Sequence, residues 1–166
     1  MKKNIFSRFA VIAVAALTLC LVGCNQPKDL TLSTLEGKWV SSYGEEYTIT
    51  PDTFDAGSNS YAGEELEIVE DEETEGSGII FIKYTRASCP THSNYEKKIY
   101  AYDGDAPDVG KWYAVHYQKL TSESVELSGA YKFGGKTSTA TLEEAKKEFT
   151  IENGYFAYYS ECKKAE

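Results

Sequence analysis

Histidine and cysteine supply the few side chains in this chain that could act as a catalytic base, a nucleophile or a soft metal ligand. Nucleophilic catalysis needs a base beside the nucleophile. No Gly-x-Ser-x-Gly, His-Glu-x-x-His, phosphate-binding glycine loop or Cys-x-x-Cys motif occurs. His116 lies in the middle of a predicted strand between aromatic residues, which favours a packed or surface imidazole over a base. The sequence predicts no catalytic residue, no cofactor and a protein that is not an enzyme.

Acidic residues are the other candidates for metal chemistry, because calcium binds carboxylate oxygens. They concentrate in the segment 70–75 and again at Asp103, Asp105 and Asp108. The first stretch lacks the spaced acidic residues and glycine of a calcium loop, and no further feature supports calcium binding at the second. Solvated turns are therefore favoured, and no metal site is predicted. The formal net charge is −9, and an acidic chain without a basic patch repels phosphate backbones. Nucleic acid is therefore excluded as a partner.

The first residues have the pattern of an export signal. Lys2, Lys3 and Arg8 precede an apolar run at 9–22. That run is shorter than the roughly 20 residues that a membrane-spanning helix needs, and a basic start followed by a short apolar stretch is typical of a secretory signal. The sequence Leu21-Val22-Gly23-Cys24 follows. It resembles the lipobox of bacterial lipoproteins, in which the cysteine becomes the lipidated first residue of the mature chain.

The lipobox resemblance implies a signal peptide at 1–23, a lipid on Cys24 and a polar tether at 24–34 before a single domain at 35–162. Two or three acyl chains hold a protein on a membrane where a single chain is marginal. We therefore expect an exported protein, anchored to a bacterial membrane and facing the periplasm or the cell surface. Loss of the three positive charges in 1–23 would change the net charge from −9 to −12.

Two cysteines remain after this processing, Cys89 and Cys162. In an oxidising exported compartment, two remaining cysteines indicate one disulfide. Two alternatives stay open: a free thiol, or half of a metal site formed by Cys89 and His92 within Cys89-Pro90-Thr91-His92.

Alternating apolar and polar residues predict seven or eight short strands, separated by glycine-, proline- and aspartate-containing turns. The segment 79–86 is apolar on both faces, which indicates a central strand or an outer face that meets lipid or a partner. One helix is predicted from Thr141, whose spacing to Glu144 forms a capping box, to Asn153-Gly154. A last aromatic strand follows at 155–162. The fold class is therefore all-β, a single antiparallel barrel with one helix in the C-terminal part.

The order of these elements resembles that of lipocalins and their calycin relatives. Gly37-Lys38-Trp39 is similar to the Gly-x-Trp motif that starts the first lipocalin strand. The resemblance implies that Trp39 plugs the closed end of a barrel of about eight strands and that the interior holds a small apolar ligand. Lipocalins close this end with an arginine near the C-terminus. Here either Lys163 or Lys164 takes its place, or this closure is absent.

Tyrosine is abundant, with thirteen residues in the chain. Aromatic residues are common in strands for packing reasons alone, but tyrosine also suits binding surfaces because it joins apolar area to a polar tip. The second interpretation places six aromatic residues in or around a cavity, with the long connection 87–110 at its mouth: Trp39, Tyr47, Trp112, Tyr113, Tyr117 and Tyr131. The functional expectation is a membrane-anchored binding protein for a small apolar or amphipathic ligand. The alternative is a cell-envelope or surface module with a filled core that meets an envelope or host protein.

Overall fold

The computed structural model describes residues 32–94, 96–97 and 101–166. The predicted signal peptide, the lipobox with Cys24 and most of the tether lie outside these described residues. So do parts of the connection 87–110.

Nine strands and one helix follow a single helical turn at 32–35, which we call α1. The strands and helix, with their bounds, are β1 Gly37–Ser41, β2 Glu46–Ile49, β3 Thr53–Asp55, β4 Ala62–Glu70, β5 Gly78–Ser88, β6 Tyr102–Asp103, β7 Trp112–Gln118, β8 Ser124–Gly129, α2 Leu142–Glu148 and β9 Ser160–Lys164.

Eight strands close into an antiparallel barrel. Each strand pairs with the next along the chain, except that β6 pairs only with the end of β5 and β5 pairs directly with β7. Closure comes from β9, which lies between β8 and β1. The predicted antiparallel barrel of about eight strands with one helix in the C-terminal part is confirmed. We call the end where β1 begins the base, and the end where β1 leads into β2 the mouth.

The two faces of each strand divide into barrel interior and exterior. Trp39 is opposite Tyr47, and Ile82 is opposite Tyr113. Because opposed residues in an antiparallel pair project to the same face, these register partners define the interior. The alternation is interrupted in β4, where the register to β5 shifts on either side of Gly63, and Glu65 has a φ of 56°.

The base is closed by an aromatic ring and an ammonium group. Trp39 is completely buried, and its Nε1 donates to the Leu35 carbonyl of α1 at 2.7 Å. Lys164 Nζ lies 5.1 Å from the centroid of the Trp39 ring and donates to the Thr34 carbonyl at 3.1 Å. Lys164 thus joins β9, β1 and α1 at one point.

The helix packs on the outside of the barrel, against β5 and β7. Both hydrogen bonds of the predicted capping box form between Thr141 and Glu144. The outer face of β5 beneath it is buried at Phe81, and Lys146 reaches Glu67 of β4 at 3.8 Å. The apolar outer face of β5 is therefore covered by the protein's own chain, as expected for a central strand.

Two element boundaries differ from the sequence-based expectation. The helix ends at Glu148 and not at Asn153. The Asn153 side chain lies beyond the helix and donates hydrogen bonds to the carbonyls of its last residues, Lys147 and Glu148. The last strand begins at Ser160. Residues 155–159 are outside any strand, although Tyr131 N donates to the Tyr155 carbonyl.

Candidate functional site

A cluster of aromatic rings occupies the half of the barrel interior near the mouth. Phe54 stacks on Tyr61 with ring centroids 5.9 Å apart. Tyr61 meets Tyr113 edge-on at 5.1 Å, and Tyr113 stacks on Tyr84 at 4.8 Å. Tyr47 reaches Phe54 at 6.1 Å. These are the separations of packed aromatic pairs, so the five rings fill this part of the interior with one another.

Small residues make room for these rings. A Cβ atom at Gly129 would lie 2.6 Å from Tyr113 Oη and 3.1 Å from Tyr61 Oη, so only glycine fits beside the two phenols. Burial raises the pKa of Tyr61, Tyr84 and Tyr113 above the ordinary tyrosine value. The phenols therefore stay neutral and supply hydrogen-bond donors and apolar surface, not charge.

A cleft of about 930 Å³ opens at the mouth. Residues 44–47 form one wall, residues 56–60 form another, and Tyr102 of β6 contributes a ring. Glu45 lies in the first wall. Its Oε2 accepts from Tyr47 Oη at 3.1 Å and from Ser160 Oγ at 2.6 Å. The carboxylate thus links the β1–β2 loop to β9 directly above the buried rings.

Arg86 holds the second wall. Its Nη2 donates to Asp55 Oδ1 at 2.7 Å and to the Gly57 carbonyl at 2.6 Å. Its Nε donates to the Ser60 carbonyl at 2.6 Å. Asp55 Oδ1 also accepts from Gly57 N at 2.8 Å. Three hydrogen bonds from one guanidinium therefore fix both ends of the β3–β4 loop.

Exposed aromatic side chains lie on the loops near the mouth. Tyr43, in the β1–β2 loop, is 80% exposed. Tyr131 and Tyr158 meet edge-on at 6.0 Å and are 57% and 71% exposed. Phe133, two residues beyond Tyr131, is 93% exposed. Tyr131 and Tyr158 therefore form an exposed aromatic pair at this end of the barrel.

The six aromatic residues predicted to bind a ligand do not form one site. Tyr47 and Tyr113 lie in the ring cluster near the mouth. Trp39 and Tyr117 are buried elsewhere in the interior, with Trp39 at the base. Trp112 is opposite Lys83 of β5, on the outer face, and Tyr131 is exposed.

Sequence analysis missed three interior rings, those of Phe54, Tyr61 and Tyr84. Phe54 and Tyr61 belong to the short β3 and to the turn after it. Tyr84 lies in the segment 79–86, which is apolar on both faces, but it is not in the predicted binding set. Gly63 in β4 is a signal of close packing, because a glycine within a strand often marks close approach of another group, here the Ile82 side chain.

His116 is buried on the outer face of β7, away from the cleft. Its Nδ1 lies 3.1 Å from Tyr159 Oη and its Nε2 lies 3.4 Å from Ser77 Oγ, while the Phe156 ring covers it at 5.3 Å. Burial lowers its pKa, partly offset by Asp71. The neutral imidazole is packed among its neighbours.

Both remaining cysteines have free thiols, and the predicted disulfide is not formed in the structure. Cys162 Sγ donates to the Ser160 carbonyl at 3.3 Å, and Cys89 Sγ lies 3.3 Å from Thr91 Oγ1. Cys162 is in β9 and Cys89 follows β5, and the strands β8 and β7 lie between β9 and β5 in the barrel. Burial raises the pKa of the Cys162 thiol to about 12.

His92 Nδ1 is 3.1 Å from Asp103 Oδ2. Within residues 32–94, 96–97 and 101–166, no group of three or more His, Cys, Asp or Glu side chains is arranged to hold a metal ion. In the same residues, no helix has the length and apolar character needed to cross a membrane.

Comparison with known proteins gives no relative for this arrangement. The chain matches no protein-family model, no curated protein and no solved structure.

Proposed function

We propose that this protein is an exported, non-enzymatic interaction module, anchored to a bacterial membrane through Cys24, whose mouth loops bind a partner protein of the cell envelope or of a host. The observation that supports this proposal best is the packed interior. Large rings occupy the volume that a ligand would need, so binding energy must come from the outside of the barrel.

The composition of the mouth supports the same proposal. The loops 42–45, 56–61 and 130–136 are rich in tyrosine, serine and glycine, and rigid strands hold them. Binding loops of antibodies use the same residues, because tyrosine gives large contact area at low entropic cost and small polar residues adapt their hydrogen bonds.

The place of the tether fits this orientation. Residue 32 begins α1 at the base, and only the seven residues 25–31 lie between it and Cys24, so the connection spans at most about 28 Å. A lipid on Cys24 would hold the base towards the membrane. The mouth would then face away from it, open to a partner.

A relation to lipocalins is part of the proposal. The Trp39 ring under the Lys164 ammonium corresponds to the tryptophan and arginine that close the base of a lipocalin barrel. With a lysine in place of the arginine and no matching family model, the likeness rests on this base and on the order of the elements.

Photo-crosslinking tests the interaction. A benzoylphenylalanine residue replaces Tyr43 or Tyr158 at the mouth and, as a control, Glu72 in the exposed turn at the base. In producing cells or with host material present, we expect a discrete covalent adduct from the mouth positions only. Equal adducts at all three positions, or none at the mouth, would contradict the proposal.

Cys24→Ser should release the chain from the membrane fraction and prevent incorporation of a labelled fatty acid.

A small ligand is the second candidate, because the mouth cleft of about 930 Å³ is large enough for one. The native and denatured masses of the chain, purified under non-reducing conditions, distinguish the two candidates. Extra mass that leaves on denaturation would identify a carried ligand. A bare mass favours the interaction module, and a mass two hydrogens below the reduced value would demonstrate a disulfide between Cys89 and Cys162.

A further inference from the structure

We infer that the mouth cleft receives an arginine or lysine side chain from an exposed segment of the partner protein, with Glu45 as its counter-ion. This inference rests on the proposed function and specifies the chemistry of the partner. Three independent features of the cleft support it: its charge, its rings and its rigidity.

The cleft is suited to a positive charge. Glu45 and Glu46 line it, and none of the described lining residues is lysine or arginine. The nearby cation, Arg86, already pairs with Asp55 at 2.7 Å, and its Nε and Nη2 also donate to the carbonyls of Ser60 and Gly57. The Glu45 carboxylate receives two hydrogen bonds at Oε2, which orient it and leave Oε1 for a further donor. The acidic net charge of the chain attracts a basic partner at longer range.

The rings are suited to the same group. Tyr47 and Tyr102 line the cleft, and Tyr43 is exposed on the loop that carries Glu45. The face of an aromatic ring attracts a guanidinium or ammonium group. A carboxylate beside tyrosine rings therefore binds a cationic side chain by two mechanisms that a neutral side chain cannot use.

Both walls are fixed before a partner arrives. Arg86 fixes the 56–60 wall, as described above. In the other wall, Ser41 Oγ accepts from Tyr43 N at 3.2 Å and from Glu45 N at 3.0 Å. Loops that are already ordered lose little entropy on binding. The volume of the cleft exceeds that of one side chain, so the neighbouring backbone of the partner segment also enters.

A pair of capped peptides, Gly-Ser-Arg-Gly-Ser-Arg-Gly and its glutamine analogue, provides the probe. Binding to the full chain, kept in a non-ionic detergent, is measured by calorimetry at low and at high salt. The variants are Glu45→Gln and Tyr102→Leu in the cleft, and Glu72→Gln in the exposed base turn. Glu72→Gln makes the same change of net charge at the opposite end of the barrel.

We expect the arginine peptide to bind and the glutamine peptide not to bind. Glu45→Gln should weaken binding by about three- to fivefold, and Tyr102→Leu by about two- to fivefold, while Glu72→Gln should leave it unchanged. Higher salt should weaken the wild-type complex and reduce the effect of Glu45→Gln. A thermal unfolding curve for each variant verifies that it is folded.

Equal weakening by Glu45→Gln and Glu72→Gln would show that only net charge matters, and would overturn the inference. Absence of binding, or equal binding of the two peptides, would also overturn it. If crosslinks still form at the mouth in either case, the proposed function stands and only the cationic specificity fails. Absence of crosslinks at the mouth overturns both.

Discussion

The base and the mouth of the barrel are built from similar residue types but organised differently. At the base, Trp39 is buried and its Nε1 donates to the Leu35 carbonyl, while Lys164 donates to the Thr34 carbonyl. At the mouth, Tyr43 and Tyr158 are exposed, and the Glu45 carboxylate is in an open cleft. The base is therefore a packed, internally bonded closure, whereas the mouth is the region to which we assign recognition in our proposal.

The largest difference should come from removing a ring at each end. Trp39→Ala deletes a buried side chain with its hydrogen bond and should lower the free energy of unfolding by about 3–5 kcal/mol. Tyr158→Ala deletes an exposed ring and should change it by less than about 0.5 kcal/mol. Urea unfolding measures both. Similar losses in the free energy of unfolding for the two variants would contradict the distinction between a stabilising base and a mouth that contributes little to stability.

Lys164 tests whether the ammonium group strengthens the base. Lys164→Met keeps most of the apolar chain but removes the cation over Trp39 and the hydrogen bond to Thr34. We expect a loss of about 1–2 kcal/mol in the free energy of unfolding. Lys164→Arg retains a cation and donors and should lose less than half as much. Unchanged stability of Lys164→Met would mean that the apolar stem alone contributes, and an equal loss in both variants would mean that a guanidinium does not replace the ammonium group.

Two buried tyrosines allow the comparison to be tested at the level of single hydroxyl groups. Tyr117 Oη is buried without a hydrogen-bond partner, whereas Tyr47 Oη donates to Glu45. Tyr117→Phe should therefore leave stability unchanged or raise it slightly, and Tyr47→Phe should lower it by about 1 kcal/mol. Chemical denaturation of the two variants provides the measurement, and the reverse order would contradict the assigned hydrogen bonds.

The smallest expected effect is the pH dependence contributed by His116. Burial lowers its pKa in the folded state, so the unfolded chain takes up a proton first as the pH falls. Its contribution to stability is present above the unfolded pKa of about 6.5 and is lost as the pH falls through the lower folded pKa. The difference in stability between the wild type and His116→Gln should therefore change over this interval. A constant difference would contradict the assignment.

Local sequence signals predicted the elements that depend on neighbours along the chain. The Thr141 and Glu144 box lies within one helical turn, and both of its hydrogen bonds form. Alternating residues also predicted strands in this part of the chain, but β5 is apolar on both faces, so the pattern alone did not show which of its faces lies inside the barrel. The local sequence did not reveal that the Asn153 side chain would bond the last carbonyls of the helix, since these hydrogen bonds depend on the path of the chain after Phe149.

The candidate site was harder to predict, because it depends on bulges and on loops meeting in space. The register shifts around Gly63 break the period of two that places residues on a face, so the interior partners of Tyr61 could not be counted along the chain. The cleft joins three separate segments, held by Arg86 and Glu45. Neither residue belongs to a sequence motif, and their roles follow only from the closed barrel.

The closure of the barrel by β9 also determines when the protein can fold. Lys164 and Thr34, which meet at the base, are 130 residues apart in the sequence, and contacts of such long range form slowly because much chain entropy is lost first. Until β9 has been synthesised, β1 and β8 keep open edges that can pair with other chains. We therefore expect the barrel to close only after β9 is available. For a chain that we propose is exported, this delay leaves it unfolded long enough to pass through a translocation channel and to close on the far side.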